Sequence, residues 1–484
     1  MAIPPLVSPP VERQHYGITL AVLALAGLAY ALLQSLVAPA LPEIQHSLHA
    51  SESGVTWVLT SYLLSASVAT PLLGRLGDIH GKERVLVGVL VALAVGTVVS
   101  ALATSLPLMV AGRVVQGAGG GIFPLAFAII RDEFPRERVA GGIGLISAIL
   151  GIGAGAGIVL AGVIVDNLSY HWLFWFPLVA VVVAIVATVK FVPESPIKAP
   201  ARISWGAAAL LSVGLAAVLL AVSEAVTWGW TSARTLGLIA AGLVVLALWI
   251  RVEFASPEPL VDMRIMRLRG VWTVNLAGFL LGFGMYGSFI LLPQLVEQPE
   301  STGYGFGASV TAAGLFMLPS TLAMLFVGPM AGRLERRFGS KPPLVTGVVF
   351  AMASFILLAV AHGASFDIYL AAALLGIGIG LAFAAMANLI VVAVPADQTG
   401  VATGVNTVMR TIGGALGSQI IASILTANVI AASGLPAERG FTIAFWLAAG
   451  VLAVGVLASV AIPGRPGPKG APAVERLAHA GRTA

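Results

Sequence analysis

The sequence predicts an all-α integral membrane protein of fourteen transmembrane helices: two six-helix bundles with two further helices inserted between them. Three observations carry this. Of 484 residues, 58% are hydrophobic and only 10% charged. A soluble domain carries roughly 25% charged residues, so the surface this chain can build faces lipid. Fourteen apolar runs each reach the roughly 20 residues needed to cross a bilayer. Lysine and arginine fall almost wholly in alternate joins between those runs.

In chain order, residues 1–16 are polar and proline-rich (Pro4, Pro5, Pro9, Pro10) and lie outside the membrane. The run that follows has no short apolar core and no clear cleavage site, so it reads as a retained first span. Spans one to six cover 17–41, 53–73, 85–104, 107–130, 139–165 and 172–192. Spans seven and eight cover 205–227 and 235–253. Spans nine to fourteen cover 271–295, 308–333, 343–361, 367–393, 399–428 and 440–462. In lipid the backbone must satisfy its own hydrogen bonds, so each run is a helix. The expected units are a first bundle at 17–195, a linker with the extra pair at 196–262, a second bundle at 263–463 and a tail at 464–484.

Charge tests this count independently. The joins after spans two, four, six, eight and ten hold Arg75, Lys82 and Arg84; Arg131, Arg136 and Arg138; Lys190, Lys198 and Arg202; Arg264, Arg267 and Arg269; Arg333, Arg336, Arg337 and Lys341. The tail adds Arg465, Lys469, Arg476 and Arg482, while the opposite loops hold only Arg234 and Arg439. The positive-inside rule then puts both termini in the cytoplasm of a cell that carries this protein in its inner membrane. The net charge of +5 is this topology signal and does not point to nucleic acid. With no cysteine, disulfides, thiol nucleophiles and cysteine-bound metals are excluded.

The halves repeat. Gly74-Arg75-Leu76 with Gly81 recurs as Gly332-Arg333-Leu334 with Gly339, 258 residues on. Pro135, Glu137, Gly144, Gly153 and Gly157 recur as Pro395, Asp397, Gly404, Gly413 and Gly417, 260 residues on. Parallel repeats of six spans are a transporter architecture with its site at the midplane between the halves. The pair at 205–253 is what the repeats leave over.

Five stretches carry further information. After the second span comes Gly74-Arg75-Leu76-Gly77-Asp78-Ile79-His80-Gly81-Lys82-Glu83-Arg84, read as a loop whose glycines permit a tight turn. The fourth span holds Arg113-Val114-Val115-Gln116-Gly117-Ala118-Gly119-Gly120-Gly121. An arginine this deep is expensive and faces a cavity or a partner, unless it snorkels to the outer face. The fifth span has Gly151, Gly153, Gly155, Gly157 and Gly162, which let helices approach closely. Its Gly-x-Gly run is no dinucleotide loop, because no strand precedes it. The first span ends Gln34-Ser35-Leu36-Val37-Ala38-Pro39-Ala40-Leu41-Pro42, and the thirteenth contains Asn406 to Arg410 followed by Gly413-Gly414.

These stretches, with Trp57, Tyr62 and the inserted pair ending Trp228-Gly229-Trp230, resemble the major facilitator superfamily, and within it the 14-span drug:proton antiporter branch. The resemblance runs from Gly17 to Pro463. The family usually has arginine where this chain has Ile79, and the branch usually has aspartate where it has Leu33. The proline of the branch's fifth-span motif is absent.

The resemblance implies export of amphipathic organic compounds (drugs, dyes or antibiotics) by alternating access, in exchange for protons, by a chain acting as a monomer in the bilayer and needing no cofactor. It places the substrate cavity on the first, fourth, ninth and twelfth spans, with candidates Tyr30, Gln34, Arg113, Gln116, Phe123, Asn275, Phe279, Phe283, Tyr286, Phe383, Met386 and Asn388. The candidates for gating and coupling are Gly74, Asp78, Gly81, Lys82, Arg84, Arg113, Asp166, Glu224 and Arg410. Asp78 is expected to dock on the start of the thirteenth span near Asp397 to Gly400, where free amides and the helix dipole favour a carboxylate. Arg113 is expected to be solvated by Gln34, Tyr30, Gln116, water or substrate. Asp78, Asp166 and Glu224 are the carboxylates available for protons. Two other readings stand beside this one: a carrier for one metabolite or lipid, and a non-transporting sensor or scaffold. An enzyme is not supported, since the chain has no Walker loop, no histidine cluster at metal spacing and no Gly-x-Ser-x-Gly elbow.

Overall fold

The computed structural model describes residues 16–195, 204–430 and 433–463. The residues at 1–15, Lys198, Arg202 and the basic tail from Arg465 lie outside them. Among the described residues the fold is helical, with one isolated bridge between Val429 and Pro436. Fourteen helical stretches are long and apolar enough to cross a membrane. Spans 1–6 are Tyr16–Ser35, Trp57–His80, Lys82–Ala101, Leu106–Glu133, Glu137–Val165 and Trp172–Phe191. Spans 7 and 8 are Trp205–Ser223 and Ala233–Ala255. Spans 9–14 are Arg269–Glu297, Thr311–Gly328, Lys341–Val360, Ser365–Ala393, Ala396–Ala427 and Glu438–Val460. The protein is a multi-pass membrane protein.

Two apolar cores form, one from residues between Val22 and Val192 with Ala387 and Val391 reaching in, the other from Val271 to Ile462. Each is built within one repeat. The halves meet along two seams, span 2 against span 13 and span 5 against span 10. Span 7 lies on the outside of the first seam, where Ala208, Leu211 and Leu215 share a cluster with Val401 and Val408 of span 13. Span 8 pairs with span 7 through Gly214 and Gly242, whose backbones pass too closely for a side chain, and leaves most of its surface uncovered.

Two expectations need correction. The stretch Gly74 to His80 is not a loop: the second helix continues to His80, seven residues past the apolar run, and the next begins at Lys82. Hydropathy ends where lipid ends, but nothing breaks the helix until Gly81, whose φ of +109° belongs to glycine. The tenth span is likewise two helices, Val310–Phe316 and Leu318–Phe338, broken at Met317 just before Pro319. The second of these runs ten residues beyond the spanning stretch.

Candidate functional site

The end of the bundle that carries the basic joins, called here the basic end, is closed by two related contacts. At the first seam a Cβ on Gly74 would lie 2.5 Å from the Gly400 carbonyl oxygen, so only glycine fits. One turn further, a Cβ on Gly404 would lie 3.1 Å from Pro71 Cα and 3.2 Å from the Thr70 oxygen, a tight but looser approach. Asp78 is fully buried and accepts from the amides of Gly400 at 3.4 Å and Val401 at 3.2 Å. These amides open the helix of span 13 and have no partner within it. The carboxylate thus sits where the helix dipole favours negative charge.

Around it the charges form a chain. Lys82, also fully buried, places Nζ 2.5 Å from Asp132 Oδ2 and 4.0 Å from Asp78 Oδ1. Ser195 Oγ donates to the same Asp132 oxygen. Arg131 crosses to the other half and donates to the carbonyls of Val394 and Pro395 and to Thr399 Oγ1. Arg84 is an exposed rim residue paired with Glu194 at 3.0 Å. Gly81 faces Glu194 with no space for a side chain.

The second seam repeats the first with different chemistry. A Cβ on Gly332 would lie 2.7 Å from Gly141 Cα, and one on Gly144 2.8 Å from the Gly328 oxygen. The two repeat offsets map Gly74 onto Gly332 and Gly404 onto Gly144, so these are the same contacts made twice. The residue matching Asp78 is Arg336, which reaches the Glu137 carbonyl at 3.4 Å. Beside it Glu335, outside the spanning stretch, is 3% exposed and accepts from Ser340 Oγ at 2.8 Å. Burial pushes its carboxyl up to about 7, against the opposing pull of Ser340 and Asn388. Asn388 also spans this seam, donating to Ala140 O at 3.4 Å.

At mid-length the halves enclose a void of about 10 Å³, room for about one water. Phe123, Phe127 and Ser147 line it from the first half; Phe383, Thr403, Asn406, Thr407 and Arg410 line it from the second. The Arg410 guanidinium lies 4.3 Å over the Phe383 ring, and its Nε has no partner. Arg113 is fully buried nearby in span 4. It donates to Val58 O, Leu33 O and Gln116 Oε1 at 3.0, 3.3 and 2.7 Å, and stacks on Tyr62 at 4.0 Å. The glycines from Gly117 to Gly121 wind into a tighter 3₁₀ turn, which brings Gly117 against Ser65 and Gly119 against the Tyr30 ring.

Of the cavity candidates, Phe123 and Phe383 line this void. Gln34 and Tyr286 instead join the halves, at 3.2 Å, and Tyr30 packs edge-on to Phe123. Of the groups offered to solvate Arg113, Gln116 hydrogen-bonds it, together with two backbone carbonyls, and is itself held by Thr97; Gln34 and Tyr30 do not. The remaining candidates are packing groups here. Asn275 accepts from Asn406 at 3.0 Å; Phe279 and Phe283 present carbonyls to Gly413 and Gly417; Met386 packs beside Gly278. Glu224 terminates the span 7 helix, and Asp166 lies in the last turn of the span 5 helix. Phe127, Ser147 and the span 13 residues Thr403, Asn406 and Thr407 were not expected. The last three fall with Arg410 at i, i+3, i+4 and i+7, one polar face of a helix, and that spacing is the signal that finds them.

Comparison with known proteins adds the following. The family model described as Major Facilitator Superfamily matches residues 23–418. "Multidrug resistance protein Stp" of Mycobacterium tuberculosis is 29% identical over 392 residues, 80% of this chain and 72% of its own. "Multidrug transporter protein MdtP" of Bacillus subtilis is 27% identical over 398 residues, 81% and 72%. The "Tetracenomycin C resistance and export protein" of Streptomyces glaucescens is 28% identical over 416 residues, 85% and 76%. In fold, the chain is similar to the human organic anion transporter MFSD10 (TM-score 0.69, 18% identity, 93% of this chain and 100% of that one). It is also similar to the proton:xylose symporter XylE (TM-score 0.65, 15% identity, 92% and 96%).

Proposed function

The chain belongs to the major facilitator superfamily and is a membrane transporter, not an enzyme; from that premise we propose that it exports amphipathic organic compounds by alternating access, driven by protons. The observation that carries the mechanism is the doubled seam. Two glycine contacts related by the repeat, Gly74 with Gly400 and Gly332 with Gly141, close one end of the central void. The void as it stands holds no organic molecule. Substrate therefore enters only when the halves part, and one pair of seams has to open at a time.

The basic joins support a cytoplasmic position for that closed end. Asp78 then acts as a latch: in the closed form it caps span 13, and opening strips it of two amide donors. The names of the relatives support drugs and antibiotics as cargo. Protons are carried by carboxylates away from the centre, Asp78, Asp166 and Glu224 among them, because the centre itself presents arginines. The chain works as a monomer. The test is a substrate panel in proteoliposomes with an imposed pH gradient. Broad mutual competition among dyes and drugs is expected. Saturable uptake of one compound alone would point to a dedicated carrier instead.

A further inference from the structure

We propose that the centre of this transporter is built for organic anions, with Arg410 as the counter-charge for a carboxylate, phenolate or sulfonate on an amphipathic cargo. This narrows the exporter reading and rests on it.

Two arginines lie at mid-length, Arg113 fully buried and Arg410 half-buried, and their situations differ. Arg113 is held by three neutral oxygens and an aromatic face, with its Nη2 alone unpartnered; it does not line the void. Arg410 has an aromatic face only on one side, and its Nε is a buried donor without an acceptor. Across the same void Ser147 Oγ is also buried without a partner. Buried polar groups are almost always paired, so two orphans on one void mark a place for a group with acceptor oxygens.

Charge points the same way. Among the described residues no carboxylate lies within ion-pair distance of either arginine. The ionisable neighbours are tyrosines: Tyr286 and Tyr30 for Arg410, Tyr62 and Tyr30 for Arg113. A cation entering this space meets two like charges in low dielectric, where repulsion is strong. An anion meets a planar guanidinium fork suited to a carboxylate. Phe123, Phe127 and Phe383 supply flat apolar surface for the rest of the molecule. Thr403 and Thr407 sit one turn apart on the same lining face, each hydroxyl donating to a backbone carbonyl one turn back.

The experiment uses two xanthene dyes of one skeleton and opposite charge, fluorescein and rhodamine 123, in proteoliposomes of the full chain under a pH gradient. Fluorescein is expected to move about tenfold faster at equal concentration. Arg410→Gln should raise its half-saturating concentration about tenfold, and Arg410→Lys should restore most of the loss. Ser147→Asp, which sets a carboxylate against an intact Arg410, should shift preference towards rhodamine 123. This variant keeps the test open if Arg410→Gln fails to fold. Equal or preferred transport of rhodamine 123 by the wild type, or unchanged fluorescein kinetics in Arg410→Gln, overturns the charge assignment and leaves the exporter reading standing. Transport of neither dye, nor of any member of the panel above, overturns both.

Discussion

Closure of the basic end is expected to depend on pH through Glu335. In the closed form its carboxyl is pushed from 4.5 up to about 7 by burial. Ser340 and Asn388 are the side chains that act on it, while the neighbouring Arg336 turns to the Glu137 carbonyl and Arg337 lies exposed. The Glu335 partner Asn388 also reaches across the seam to Ala140, and parting of spans 5 and 10 is expected to admit water to the group and return it towards 4.5. The closed form therefore binds the proton more tightly and is favoured by acid. The gain is fully present below the open-form value and is lost as pH rises through about 7. The whole shift is worth about 3 kcal/mol. Between pH 8 and pH 6 the closed-to-open ratio should rise about tenfold. The absence of cysteine allows spin labels to be placed cleanly at Glu137→Cys and Arg337→Cys, both exposed and on opposite sides of the seam. Distance distributions in nanodiscs should show the short population growing as pH falls. Glu335→Gln mimics the protonated acid and should stay closed across the range. An undiminished pH response in Glu335→Gln would refute the reasoning.

Asp78→Asn should slow transport at unchanged expression, because removing the charge forfeits a dipole interaction of about 1–2 kcal/mol in this buried geometry; vesicle flux against protein content checks it. Gly74→Val drives two methyls into the Gly400 backbone and should hold the first seam open, raising maleimide labelling of a cysteine at position 403 from the basic side. Arg113→Ala should abolish flux and lower thermal stability, since Gln116 Oε1 loses its donor and Tyr62 its cation; a stable, active variant counts against a structural role. For topology, impermeant maleimide should label cysteine at 300 from outside but not at 84 or 337. Positions 300, 84 and 337 are exposed whereas Lys82 is fully buried and unusable.

Hydropathy located the spans to within a few residues because lipid contact and helix coincide over most of each run. They part company at Gly74 to His80, where a helix leaves the membrane without ending. The glycine blocks were visible as repeats, yet which glycine meets which is a tertiary fact: Gly74 finds Gly400 across 326 positions of chain. The partners of Arg113 were hidden for another reason. Two of them are backbone carbonyls, at Val58 and Leu33, and a carbonyl has no signature in sequence. The polar face of span 13 was open to view at Thr403, Asn406, Thr407 and Arg410, but reading cavity lining from the other spans passed it by.

The two seams share a glycine scaffold and differ in what guards it. One buries a network in which Lys82 lies within 4.0 Å of both Asp78 and Asp132. Breaking such a network is costly because each charge left behind is unpaired. The other buries a single acid whose neutral form is the comfortable one. Duplicated halves with identical guards would respond alike to protonation and open symmetrically. Here Arg336 stands at the position that repeats Asp78 and the acid has moved to Glu335, so the first seam is guarded by carboxylates that share a lysine and the second by an acid bonded to Ser340. A proton bound at Glu335 then locks the end that the latch at Asp78 holds shut. Its loss weakens one seam of two, and that inequality gives the cycle a direction of response that symmetry alone lacks.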